Sequence, residues 1–170
     1  MDLAAYIRDV PDFPIPGVLF RDITPLLADA AAFRSVVDTF ADHCRQDQVD
    51  VIVGIESRGF IFGTPLAYVL GVPFVPVRKA GKLPAKRMSV EYALEYGTSQ
   101  LDIHADALAA GQRAVIVDDL LATGGTAAAA AKLVELVGGS VQEFLFLVEL
   151  GFLNGREKLQ GYPITALITY

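Results

Sequence analysis

A single cysteine, Cys44, in 170 residues rules out any disulfide within the chain. A lone thiol fits a reducing compartment, where disulfides are rare. Long apolar runs are also missing: no uncharged apolar stretch reaches the roughly 20 residues that a membrane-spanning helix needs. The opening segment MDLAAYIRDVPDF carries acids early and has no apolar block of the signal-peptide kind. Positive charge is in short supply. Fourteen Lys and Arg face twenty Asp and Glu, giving a net charge of −6. That balance argues against nucleic acid or an anionic membrane as a partner. The two histidines, His43 and His104, lie far apart, and no His/Cys cluster has metal-ligand spacing. Repeats, low-complexity tails and linkers are absent as well. What remains is a soluble, cytoplasmic protein expected to fold as one domain over residues 1–170. With 53% hydrophobic residues it has ample material for a core.

What is present is a regular alternation of elements. Met1–Val10 is expected to be a short helix, and Pro11, Pro14 and Pro16 then force an extended or turning path. Gly17–Thr24 reads as a loop exposing aromatic, basic and acidic groups. From Asp29 to Gln46, Phe33, Val36, Val37, Phe40, Ala41 and Cys44 form one helical stripe. Val49–Ile55, Val72–Val77, Ala114–Val117, Val141–Val148 and Ile164–Thr169 read as strands. Helices are expected at Phe60–Leu70, at Gly125–Val137 and, briefly, near Gly155–Leu159. The alternation around Val90, Tyr92, Leu94 and Tyr96 predicts a two-stranded excursion within Met88–Ile103. Continuous apolar strands separated by helices imply a parallel sheet covered on both faces, with ligands bound beyond its carboxyl ends. The segments after Ile55, Val77, Val117 and Val148 are therefore the ones to inspect.

One of them is VIVDDLLATGGT, Val115–Thr126. Gly124 and Gly125 let backbone N–H groups approach an anion, and the following helix adds unpaired donors and partial positive charge. Ala122, Thr123 and Thr126 complete the loop, the threonines as hydroxyl donors. Asp118 and Asp119 would repel a phosphate, but as acceptors they suit the two hydroxyls of a ribose. A ribose 5-phosphate fits both ends of the segment. Neither G-x-G-x-x-G after a strand nor G-x-x-x-x-G-K-[ST] occurs.

From Ser57 to Val90 there is no acid, while Arg58, Arg78, Lys79, Lys82, Lys86 and Arg87 all fall there. Arg58 follows one buried strand and Arg78, Lys79 and Lys82 follow the next. Cations delivered to one sheet edge suit a multiply charged anion, with Arg as a fork and Lys as a point charge.

These segments resemble the type I phosphoribosyltransferase family, and within it the branch that acts on adenine. The resemblance runs through FPIPGVLFRDITPLL, GIESRGFIFG, VRKAGKLP, YALEYG, DDLLATGGT and LVEL, nearly the whole chain. It implies an α/β fold with a central, mostly parallel sheet flanked by helices, a hairpin flap and a small N-terminal hood. It implies transfer of phosphoribosyl from phosphoribosyl diphosphate to adenine, giving AMP and diphosphate, and a homodimer. Magnesium would arrive on the diphosphate, with no direct protein ligand. The resemblance places diphosphate on Glu56, Ser57, Arg58, Arg78, Lys79 and Lys82. It places adenine near Leu19, Phe20, Arg21 and Leu120, with Phe20 stacking on the base. Glu95 would serve the purine N7 as the acid/base group, with Tyr96 helping to shut the flap. The Arg21 side chain has a second reading, as a partner of Asp22, and Glu149 reads as a buried structural carboxylate. Other readings are the same transfer to another purine, and a non-catalytic ligand sensor, which usually carries an added DNA-binding region.

Overall fold

The computed structural model describes residues 1–94 and 96–170. Its N-terminal segment departs from expectation. Only Leu3–Tyr6 is helical, as one 3-10 turn, and the chain then enters strand β1, Arg8–Pro11. Strand β2, Leu19–Asp22, occupies the supposed loop and pairs antiparallel with β1. The pairing gains ion pairs that a helix over 1–10 would forgo: Arg8 forks onto Asp22 and Thr24, and Arg21 meets Asp9. This two-stranded hood leads into a short helix, α1, Thr24–Ala28, which was not expected.

Helix α2, Ala30–Gln46, begins where Asp29 accepts hydrogen bonds from the Ala31 and Ala32 N–H groups, at 3.0 and 2.8 Å, which caps its first turn. Of the stripe named above, Val36, Val37, Phe40, Ala41 and Cys44 are buried and Phe33 is half-buried. Strand β3 (Val51–Ile55), helix α3 (Gly59–Leu70) and strand β4 (Phe74–Lys79) follow. The expected excursion forms as strands β5 (Arg87–Ala93) and β6 (Thr98–His104). Strand β7 (Arg113–Leu121), helix α4 (Gly125–Leu136), strand β8 (Ser140–Glu149) and strand β9 (Ile164–Thr169) complete the order. Two 3-10 turns, Gly151–Leu153 and Gly155–Leu159, join the last two strands.

Among the described residues the main sheet has seven strands in the order β5-β6-β4-β3-β7-β8-β9. Strands β4, β3, β7, β8 and β9 run parallel, and the β5–β6 hairpin joins antiparallel at the β4 edge. Strand β7 extends past Val117 because Leu120 and Leu121 still pair with Val148 and Glu149. Alternate residues feed two cores. Val51, Val53 and Ile116 pack with Ala130 and Leu133 of α4 on one face. Ile52, Val115 and Leu145 pack with Phe40 of α2 and Phe62 of α3 on the other. The chain starts the parallel block at β3, lays β4 on one side and returns to lay β7 on the other. The crevice of such a sheet opens at that reversal, beyond the carboxyl ends.

Candidate active site

Two clefts meet at this reversal. The larger, about 400 Å³, is polar and runs from the Glu56–Arg58 turn across Asp118 and Asp119 to Thr126. The smaller, about 150 Å³, is mostly apolar and lies under the hood, between Phe20 and Leu120. Arg58, Asp119 and Leu120 line both. A ligand joined at that point would present an anionic tail to one cleft and a flat ring to the other.

At the anion end, Ala122–Thr126 turns the chain from β7 into α4. Gly124 has φ of +87°, a conformation that L side chains rarely adopt. A methyl group on Gly124 would also lie 2.4 Å from the Gly155 carbonyl oxygen, so the loop rests on the chain after β8. Glu149, buried at the end of β8, is forked by Arg156 at 2.7 and 2.8 Å, which holds that supporting chain in place. Lys158 comes from the same segment. Its Nζ lies 3.8 Å from where a Gly125 methyl would stand. The loop lacks a lysine in sequence, yet the fold brings one to it.

At the cleft floor, burial and the neighbouring Asp119 charge push the Asp118 carboxyl well above the usual range. Asp119 itself is compensated, because Arg58 Nε donates to it at 2.6 Å. Gly59 permits this closeness. A methyl there would stand 2.6 Å from the Val117 carbonyl oxygen, so α3 starts directly against β7.

The cations predicted for diphosphate fall into two groups. Ser57, Arg58 and Lys79 line the large cleft together with Glu56. Arg78 and Lys82 are not among the cleft's lining residues and hold the Glu56 carboxylate, at 3.2 and 3.4 Å. Lys79 N–H donates to the other Glu56 oxygen at 2.8 Å. Burial alone would raise the Glu56 carboxyl, but these hydrogen bonds and charges hold it below the usual range. Glu56 thus ties the turn after β3 to the end of β4 and faces cations, so its carboxylate is an organiser of the basic groups.

In the smaller cleft Leu19, Phe20, Arg21 and Leu120 come together as predicted neighbours. Phe20 is braced by Phe13, with ring centres 5.1 Å apart and nearly perpendicular. The Arg21 guanidinium pairs with Asp9 and lies 3.7 Å above the Tyr170 ring. Asp22 takes Arg8 instead, which answers the alternative raised for Arg21. Tyr96 is 88% exposed and away from both clefts. Glu95 lies outside the described residues. Sequence reasoning did not single out Tyr92 and Ser99, which line the large cleft, nor Gly155 and Lys158. The strand pattern contained the first pair, but nothing local marks the second.

The comparisons with known proteins agree with this geometry. Residues 26–152 match the model of the phosphoribosyl transferase domain. The chain belongs to the phosphoribosyl transferase family. Among similar members of the family is the adenine phosphoribosyltransferase of Roseiflexus sp. (strain RS-1), 58% identical over 99% of this chain and 98% of that protein. The crystal structure of adenine phosphoribosyltransferase from Thermoanaerobacter pseudethanolicus ATCC 33223 is 57% identical, with a TM-score of 0.96 over 99% of this chain and 98% of that one. The Saccharomyces cerevisiae adenine phosphoribosyltransferase, solved with an imino-altritol bisphosphate and adenine, is 44% identical, with a TM-score of 0.94 over 98% of this chain and 96% of that one. The chain therefore has the phosphoribosyltransferase fold, with the β5–β6 hairpin and N-terminal hood described above.

Proposed function

We infer that this chain transfers the phosphoribosyl group from phosphoribosyl diphosphate to adenine, releasing AMP and diphosphate, in purine salvage. The observation that carries the reading is the meeting of the two clefts at Arg58, Asp119 and Leu120. It gives one continuous bed for base, ribose and phosphates.

In this reading the 5-phosphate sits on Ala122–Thr126, held by backbone donors and the start of α4. Asp118 and Asp119 accept from the ribose hydroxyls. The base lies between Phe20 and Leu120, with backbone groups of Leu19 and Arg21 reading its edge. That use of backbone is consistent with Arg21 having its guanidinium engaged by Asp9 and Tyr170. Adenine N9 attacks the anomeric carbon as the bond to diphosphate breaks. The sugar becomes oxocarbenium-like, and Arg58 and Lys79 stabilise the negative charge gathering on the leaving group. As the N9–C1′ bond forms the purine becomes cationic, and Glu95 accepts the proton it loses from N7; the neighbouring Leu94 lines the cleft.

Magnesium fits as a companion of the diphosphate. Glu56 already faces cations and Asp119 faces Arg58, so the ion would be held by diphosphate oxygens and water, where it supplies charge neutralisation. The protein works in the cytoplasm, as its single buried thiol suits. It pairs as a homodimer, for which exposed Tyr68 and Val69 on α3 offer apolar surface.

The test is an assay of purified protein with phosphoribosyl diphosphate and each of adenine, hypoxanthine, guanine and xanthine. AMP formation from adenine alone is expected. Product from another base and none from adenine would overturn the substrate assignment, and no product from any base would favour a ligand sensor.

A further inference from the structure

The hairpin of β5 and β6 is anchored to the sheet at its base. Arg78 pairs with Asp102 and Lys79 with Leu101, and among the described residues β6 meets β4 only there. Beyond Val90 and Leu101, among the described residues, the two strands pair only with each other. This outer part reaches across to the start of α4. Tyr92 provides the contact: its ring edge lies 3.5 Å from where a Gly125 methyl would stand, and its hydroxyl shares a hydrogen bond with Thr126 Oγ1 at 3.2 Å. Among the described residues, no other side-chain hydrogen bond joins the outer hairpin to the phosphate loop.

Thr126 Oγ has one proton and two lone pairs. At a 3.2 Å oxygen spacing either hydroxyl of the Thr126–Tyr92 pair can be the donor. An anion on the loop competes for the Thr126 proton. If Thr126 turns its O–H to the anion, its lone pairs become free to accept from the Tyr92 O–H. The contact is then kept with Tyr92 as the donor, and the Thr126 oxygen is more strongly polarised because Thr126 is donating to a charged group.

From this geometry we propose that Tyr92 is a positioning residue that links occupancy of the 5-phosphate loop to docking of the hairpin, through its hydrogen bond with Thr126. The proposal rests on the 5-phosphate reading of that loop. It implies an order in which the sugar phosphate tightens the hairpin before the base reacts, which keeps water from the anomeric carbon. Linkage makes the effect reciprocal: the factor by which a 5-phosphate steadies the hairpin equals the factor by which the docked hairpin holds the 5-phosphate.

The experiment compares the full chain with its Y92F variant, using ribose 5-phosphate and inorganic diphosphate as separate probes. Phenylalanine keeps the ring against Gly125 and removes only the hydroxyl. In the wild type, ribose 5-phosphate should slow amide exchange at 90–93 and 98–101 by up to about twofold, the gain from strengthening one existing hydrogen bond, and diphosphate should not. In Y92F that slowing should vanish and the Kd for ribose 5-phosphate should rise by the same factor. T126S, which keeps the hydroxyl, should retain the slowing, and T126V should abolish it. Retained slowing in Y92F, or equal slowing by diphosphate, would overturn the proposal. A wild type that binds no ribose 5-phosphate would instead overturn the reading of the loop, so the two failures are distinct.

Discussion

Replacing Gly155 with alanine would set a backbone collision directly behind the phosphate loop. The new methyl group would stand 2.4 Å from the Ala122 carbonyl oxygen, 2.9 Å from Leu121 Cδ1 and 3.1 Å from Leu121 Cγ. Side-chain carbons in folded proteins essentially never come within 3.0 Å of such neighbours, so Ala122 or residue 155 must retreat by about 0.6 Å. The retreat is constrained on both sides, since Arg156 holds the supporting chain through Glu149 and Ala122 continues directly from β7. Overpacking of this kind costs about 1–3 kcal/mol. At roughly 2–4 °C per kcal/mol for a domain of this size, the unfolding midpoint should fall by about 2–12 °C. Binding should suffer separately. Donors to a phosphate act over a few tenths of an ångström, and losing one charge-assisted hydrogen bond costs about 1.5–3 kcal/mol, or a roughly 10- to 100-fold rise in Kd for phosphoribosyl diphosphate. Titration calorimetry measures the affinity and a thermal melt the stability. Gly71→Ala is the control: its φ of +68° strains the backbone at the end of α3, but nothing lies within 4 Å of the new methyl. It should lower the melt and leave the affinity unchanged. If Gly155→Ala bound substrate as tightly as wild type, the loop would not depend on its support and the reasoning would be wrong.

Two further substitutions follow from the charges. Burial raises the Asp118 carboxyl, so the folded chain holds a proton there that the unfolded chain has lost, and stability falls as pH climbs from the ordinary carboxylate range through the raised value. Asp118→Asn should therefore raise the neutral-pH melting temperature by about 2–4 °C, leave it little changed near pH 4, and weaken phosphoribosyl diphosphate roughly tenfold. A stability gain independent of pH would refute this account. Asp50 behaves in the opposite sense: hydrogen bonds from the Arg113 side chain and N–H bring it from 3.8 to about 2. Its contribution is present above 3.8 and is lost as pH falls towards about 2. Urea midpoints of Asp50→Asn should decline less steeply than wild type over that interval, and an unchanged slope would exclude the pair as a source of acid sensitivity.

The parts that sequence reasoning reached are those whose causes are local. Asp29 marks the start of α2, Gly71 the end of α3, and Gly124 the turn into α4, each by its own chemistry. The unbroken apolar runs of β3 and β8 announce burial on both faces. The hood was misread because its strands are held by partners more than ten residues apart: Arg8 with Asp22 and Arg21 with Asp9. No periodicity records such a pairing. Lys158 and Gly155 escaped for the same reason, since they reach the phosphate loop only through the return of the chain after β8. Arg78 and Lys82 read as basic from the sequence, but charge alone does not show that both hold Glu56.

The ion pairs at the diphosphate end bear on how the cleft discriminates among anions. Arg58, Arg78 and Lys82 are already matched by Asp119 and Glu56, which serve as resident counterions. An incoming anion thus enters a contest with carboxylates fixed at short range, rather than a field of bare cations. A monodentate anion such as chloride replaces one partner and leaves a buried carboxylate uncompensated, which is costly. A ligand whose hydroxyls satisfy Asp119 while its phosphate groups engage Arg58 compensates both members of the displaced pair in one step. In the proposed reading, selectivity at this end comes from that double replacement, which would make the cleft a poor trap for simple salts.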